Sequence, residues 1–164
     1  MVCHPPSAEA QVLAIFVDGD ACPVKTETYA VAGRYGVPVA LVANSRMRVP
    51  EDQDVELIVV DGGFDAADDW IVDNVRAGDV VVTADVPLAA RCIEAGAHAL
   101  GTSGRVFSAD SIGGALATRD LNAHLRESNA IGGGPPPITD RDRSRFRASL
   151  DQVVQQALRE AGLG

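Results

Sequence analysis

Val12-Leu13-Ala14-Ile15-Phe16-Val17-Asp18-Gly19-Asp20 is a run of six apolar residues that stops at two aspartates separated by a glycine. A strand with one wet face alternates apolar and polar residues. A strand that is apolar throughout is covered on both sides, as in a parallel sheet flanked by helices. The same pattern recurs downstream at Val37 to Ala43, Val55 to Val60, Asp79 to Ala84 and Ala97 to Gly101. Segments of helical period separate these strings at Pro23 to Tyr35, Asp65 to Val75 and Pro87 to Ala95. Repeated strand–helix–strand units predict an α/β fold, a three-layer sandwich around a central, mainly parallel sheet.

Local chemistry marks the ends of these elements. Gly36 and Gly96 follow helical segments as C-terminal glycines, and Pro23 and Pro87 fall in first turns, where a missing N–H costs nothing. After Gly101, a loop over Thr102 to Val106 is expected to lead into a helix from Ser108 to about Arg126. Gly132-Gly133-Gly134-Pro135-Pro136-Pro137 is a linker or an ordered crossing. Thr139 with Asp142 three residues later is a capping-type start for a last helix to about Ala161, with Phe146 as its core anchor. The organisation expected is a loose leader over residues 1–10, an α/β domain over 11–131, and a crossing plus C-terminal helix over 132–164 packed on the same domain.

Composition narrows the function classes. With 164 residues, 46% hydrophobic and 23% charged, the chain can bury about 68–70% of its unfolded surface around one core, and it lies outside the disordered range. No apolar run approaches the roughly 20 residues of a membrane span, and the N-terminus has no basic, apolar signal pattern. A cytoplasmic protein without membrane contact is expected. Cys3, Cys22 and Cys92 form neither a disulfide framework nor a zinc spacing. The net charge of −9 repels polyanions unless bases are concentrated somewhere.

In an open parallel sheet, ligands bind at the carboxyl ends of the strands. Asp18 and Asp20 follow the first string, and Asn44, Ser45, Arg46 and Arg48 follow the second. Asp61, Gly62 and Gly63, running into Asp65, Asp68 and Asp69, follow the third, and Thr83 and Asp85 follow the fourth. Asp65, Asp68 and Asp69 share a helix face, and acids in a first turn also serve the macrodipole. Asp85 is in position to be a plain N-cap. Taken together the acids say more. Two unit charges about 4 Å apart repel by about 4 kcal/mol at an effective dielectric near 20, so converging carboxylates stay ionised only with cations between them. Hard oxygen ligands suit Mg²⁺ or Mn²⁺, which predicts phosphoester hydrolysis. Arg46 and Arg48 are then phosphate contacts. For Arg141, Arg143, Arg145 and Arg147 a solvated face pairing with Asp140, Asp142 and Asp151 competes with phosphate binding. Cys22 and Trp70 read as packing residues, and His98 as a core or strand-edge residue. There is no G-x-G-x-x-G after the first strand and no P-loop.

Several motifs together resemble the YaiI/YqxD family of bacterial proteins. They are Phe16-Val17-Asp18-Gly19-Asp20-Ala21-Cys22-Pro23-Val24-Lys25, Val42-Ala43-Asn44-Ser45, Gly63-Phe64-Asp65-Ala66-Ala67-Asp68-Asp69-Trp70-Ile71, Val82-Thr83-Ala84-Asp85-Val86-Pro87-Leu88-Ala89, and the tail from Gly134 to Phe146. The resemblance spans about Ile15 to Leu150. It is similar in turn to the PIN-like and NYN superfamily of metal-dependent ribonucleases. It implies that Asp18 is the acid ending the first strand, that Asp85 is the acid of the Thr-x-Asp segment, and that Asp65 or Asp69 is the acid opening the preceding helix. No Glu matches the further acid of PIN nucleases, and the Cys22-Pro23 pair and the Arg-rich tail are foreign to them.

The expected site therefore has Asp18, Asp65, Asp69 and Asp85 as catalytic acids. Asp18, Asp20, Asp65, Asp69 and Asp85 are the ligands of Mg²⁺ or Mn²⁺, and Asn44, Ser45, Arg46, Arg48 and Thr83 bind RNA or another phosphate-bearing substrate. The competing readings are a non-catalytic nucleic-acid or partner-binding module and a phosphatase similar to haloacid dehalogenases. The latter is suggested by Asp18-Gly19-Asp20 and Ser45, and opposed by Lys25, the only Lys, lying inside the first helix. The oligomeric state, homo-oligomer included, is open at this level.

Overall fold

The computed structural model describes residues 13–61, 66–113 and 138–162. Five parallel strands, β1 (Ile15–Asp18), β2 (Val39–Ala43), β3 (Val55–Val59), β4 (Val80–Val82) and β5 (His98–Leu100), are joined at one edge by the short antiparallel β6 (Val106–Phe107). The order across the sheet is β3-β2-β1-β4-β5-β6. Four helices bounded within the described residues are α1 (Lys25–Tyr35), α2 (Ala66–Asn74), α3 (Val86–Glu94) and α4 (Asp140–Glu160), and residues 109–113 are also helical, where the helix expected from Ser108 begins. The molecule is thus an α/β protein with a mostly parallel central sheet.

Strand residues point alternately to the two faces, and the buried residues sort accordingly. Ile15, Val17, Leu41, Val80 and Val82 share one cluster with Val31 of α1 and with Phe146, Leu150, Val153 and Val154 of α4. Phe16, Val42 and Val81 pack on the other face against Ile71 of α2 and Leu88 and Cys92 of α3. This is why the central strings carry no polar residue. Both sides of β1, β2 and β4 are covered, and Val17, Leu41, Val42, Val81 and Val82 have no solvent exposure at all.

Two boundaries depart from expectation. Pro23 is not in a first turn. Residues 19–21 form a 3-10 turn, Cys22 runs extended, and α1 opens only after Val24, whose carbonyl accepts the Thr28 amide at 3.0 Å. Val24 is fully buried, and drawing it into the core delays the helix past the proline. The expected loop over Thr102 to Val106 is instead a tight reversal, in which the Gly101 amide donates to the Arg105 carbonyl at 2.8 Å and Gly104 takes φ +92. That reversal brings Val106 back against Leu100 as β6.

α4 begins with a full capping box. The Thr139 hydroxyl accepts the Asp142 amide at 3.1 Å, and the Asp142 carboxylate accepts the Thr139 amide at 3.3 Å. α4 lies beside α1 and runs the same way. Arg143 near its start meets Pro23 and Glu27, and Asp151 further on receives hydrogen bonds from Arg34 and Tyr35. Phe146 is fully buried. The leader, the chain between 114 and 137 with its Gly/Pro run, and Asp65 lie outside the described residues. Among the described residues no helix is long and apolar enough to cross a membrane.

Candidate functional site

From β1 the chain moves outward to β2 and β3, then crosses back to β4 on the other side of β1. The carboxyl ends of β1 and β4 therefore flank the point where the winding reverses, the usual ligand crevice of such sheets. Asp18 is the last residue of β1, and Thr83 directly follows β4. The buried Thr83 hydroxyl donates to Asp18 Oδ2 at 3.1 Å and accepts the Asp85 amide at 2.9 Å. Asp85 in turn accepts the Leu88 amide on Oδ1 at 3.2 Å as the N-cap of α3. One hydroxyl thus fixes two carboxylates across the crevice. Among the described residues, Oδ1 of Asp18 and Oδ2 of Asp85 have no protein donor.

Asp20 sits on the far side of Gly19 and accepts the Asn44 amide on both oxygens, at 3.0 and 3.1 Å. This bond ties the turn after β1 to the turn after β2. Gly19 is required by proximity, since a Cβ there would lie 2.7 Å from Leu41 Cδ1 and 3.1 Å from the Val42 carbonyl oxygen. Burial raises the Asp18 carboxyl above the ordinary aspartate value, the Thr83 hydrogen bond opposes the shift, and the negative charges of Asp85 and Asp20 reinforce it. Asp85 and Asp20 are therefore close enough to Asp18 for their charges to act on it.

Other residues expected at the site are distributed differently. Asp69 is exposed on α2 and pairs with Arg91 of α3 at 3.2 Å, an ion pair outside the Asp18–Thr83–Asp85 chain. Asn44 engages Asp20 through its amide, while Ser45, Arg46 and Arg48 are exposed on the turn after β2. Arg48 lines a groove with Thr26, Tyr29 and Ala30 of α1. Lys25 Nζ donates to the Cys22 carbonyl at 2.9 Å. The buried Cys22 thiol is pushed up by burial, as suits a packing residue. Trp70 leans on Phe16 in the core with ring centroids 6.1 Å apart. His98 lies on β5 and pairs with Glu160 of α4 at 3.0 Å.

A hard divalent cation fits the donor chemistry of Asp18, Asp20 and Asp85, which offer only carboxylate oxygens, and it would relieve the repulsion that Asp85 and Asp20 exert on Asp18. In the conformation described, no three His, Cys, Asp or Glu side chains among the described residues are gathered tightly enough to hold an ion. The sequence shows Arg143 only as one of the four clustered arginines, not as a brace. Its guanidinium donates to the Pro23 carbonyl at 2.8 Å and meets Glu27 at 3.5 Å, bracing the turn that carries Asp18 and Asp20. The Arg spacing marks a helix, but only the tertiary packing shows which arginine faces that turn.

The fold and this edge define an α/β protein with carboxylates at the reversal of its sheet. The chain belongs to the family described as "Uncharacterized BCR, YaiI/YqxD family", whose model matches residues 16–156. It is 53% identical over 151 residues to a UPF0178 protein of Rhodopseudomonas palustris (strain HaA2), covering 92% of each chain. It is 51% identical over 150 residues to a UPF0178 protein of Caulobacter vibrioides (strain NA1000 / CB15N), covering 92% of this chain and 98% of the relative. No solved structure matches the chain significantly.

Proposed function

We propose that this protein is a PIN-like, metal-dependent nuclease that hydrolyses phosphodiesters, with RNA as substrate, at the carboxyl edge of the sheet. The observation that carries this reading is the pair Asp18 and Asp85, held on either side of the winding reversal by the Thr83 hydroxyl. Each keeps one oxygen free of protein donors among the described residues. A bound Mg²⁺ or Mn²⁺ supplies charge neutralisation of the phosphoryl oxygens and acidification of a water. The protein's own part is to hold Asp18 and Asp85 in place, to bring Asp20 beside them, and to steady the backbone with Arg46 and Arg48. Asp65 or Asp69 completes the acidic set in this reading.

The test is cleavage of labelled single-stranded RNA with Mn²⁺ or Mg²⁺, against an EDTA control. Asp18→Asn and Asp85→Asn should each lower the rate on the order of 100-fold. Asn caps helices as well as Asp does, so the second variant keeps α3 intact. No metal-dependent cutting by the native protein defeats the catalytic reading.

One observation favours a second reading, a non-catalytic nucleic-acid or partner-binding module. Asp20, Asp69 and Asp85 each already serve the fold, through the Asn44 amide, Arg91 and the Leu88 amide. RNA affinity without cutting would select it. The phosphatase reading needs a lysine on the phosphate, and Lys25 is engaged with the Cys22 carbonyl instead.

A further inference from the structure

The first two turns of α4 break two rules of helix electrostatics. Arg141, Arg143, Arg145 and Arg147 crowd the positive end of the macrodipole, and like charges stand at i,i+4 to one another. Stability alone would place them elsewhere. Of the three acids expected to neutralise them, Asp142 and Asp151 are otherwise engaged, and Asp140 makes no ion pair with them among the described residues. Asp142 is in the capping box, and Asp151 is held by Arg34, Tyr35 and Gln155. Arg143 has Pro23 and Glu27 as partners, whereas Arg141, Arg145 and Arg147 are exposed and have no ion pair among the described residues. In a chain of net charge −9, free arginines gathered in one place are a local reversal of the field.

Their position is specific. Arg143 rests on the turn after β1, and the turn after β5 packs against α4 so closely that a Cβ on Gly104 would lie 2.9 Å from Arg145 Cγ. β4, whose end carries Thr83 and Asp85, lies between β1 and β5. The start of α4 therefore bridges the two turns that flank the end of β4. On the opposite flank, the Asp20–Asn44 bond anchors the turn bearing the exposed Arg46 and Arg48, which have no ion pair among the described residues either. Strands lie about 4.8 Å apart, so β2 and β5 are about 14 Å apart across the edge. Free bases thus stand on both sides of the acidic centre, separated by a few nucleotides' length.

We infer that Arg141 and Arg145 of α4, together with Arg46 and Arg48, are the two banks of a track for the phosphate backbone of a single-stranded nucleic acid. The strand crosses the carboxyl edge of the sheet and passes the acids between the banks. This deepens the nuclease reading and rests on it for the site, while its own content is a binding path with polarity-independent, sequence-independent contacts.

The test is the affinity of the full chain for a labelled single-stranded oligoribonucleotide across a salt series in EDTA, so that no cleavage is required. The native protein is compared with Arg141→Gln/Arg145→Gln, Arg46→Gln/Arg48→Gln and Arg159→Gln at the far end of α4. Each double variant should lower the slope of log affinity against log salt by about 1.4, two contacts at about 0.7 each, while Arg159→Gln leaves it unchanged. Absence of binding at low salt, an unchanged slope in the double variants, an equal effect of Arg159→Gln, or displacement of the RNA by poly-glutamate at equal charge would each overturn the track. Binding with the expected slopes but no cutting on adding Mn²⁺ breaks the nuclease reading alone, and cutting with unchanged slopes breaks the track alone.

Discussion

β1 and β4 lie side by side, and each end of the pair carries a carboxylate. At the amino edge, Asp79 precedes β4 and accepts the Ala14 amide at 3.2 Å and the Arg76 amide at 2.9 Å. At the carboxyl edge, Asp18 receives one hydroxyl hydrogen bond and faces two like charges. Burial raises both carboxyls and hydrogen bonds oppose the shift at both, but the charges beside them differ in sign. Around Asp79 two backbone hydrogen bonds and the Arg76 charge all favour ionisation, whereas around Asp18 the Thr83 hydrogen bond favours it and the charges of Asp85 and Asp20 oppose it. The amino edge is a solved structural problem, a carboxylate sealing the entry into two strands. The carboxyl edge is left in electrostatic conflict, and such local conflict in an otherwise consistent fold marks function.

The sharpest contrast is in stability. Asp79→Ala orphans two backbone amides and should cost about 2 kcal/mol net in urea unfolding, part of the loss being offset by relief of the buried charge. Asp18→Asn should act in the opposite direction. The folded-state value of Asp18 is raised above 3.8, so its contribution to stability is complete below that pH and is lost as pH rises through the raised value. Removing the charge abolishes that loss, so Asp18→Asn should exceed the native protein in stability at pH 7 and match it more closely near pH 4. Unfolding curves across that range read the smaller effect. A neutral-pH loss in Asp18→Asn would place Asp18 with Asp79 as a structural acid and dissolve the contrast.

The fold was legible wherever burial alone dictates sequence. Ile15 to Val17, Val39 to Ala43 and Val80 to Val82 are apolar because helices cover both faces of their strands, and Thr139 with Asp142 announces the start of α4 locally. β6 was not legible, since two residues carry no periodicity and the reversal at Gly104 is set by its packing on α4. Pro23 misled for the same reason, the burial of Val24 being a tertiary demand. In the site, Asp18, Asp20 and Asp85 are legible because each stands just past the carboxyl end of an apolar string. The pairing of Asp69 with Arg91 is not, because it depends on how α2 and α3 lie together. Asp79 reads as the first residue of the Asp79 to Ala84 string, and its hold on Ala14, 65 positions away, leaves no trace in the sequence. The arginines of α4 were visible as a cluster, but their division into a brace, Arg143, and free cations required the capping box and Asp151 to be seen in use.

Binding of Mn²⁺, followed by electron paramagnetic resonance on the native protein, Asp18→Asn and Asp79→Asn, tests most directly whether the carboxyl edge is the working one. The account predicts that the native protein and Asp79→Asn bind the ion alike, and that Asp18→Asn binds it at least about 10-fold more weakly. No bound Mn²⁺ in the native protein, or equal affinity in Asp18→Asn, would contradict it.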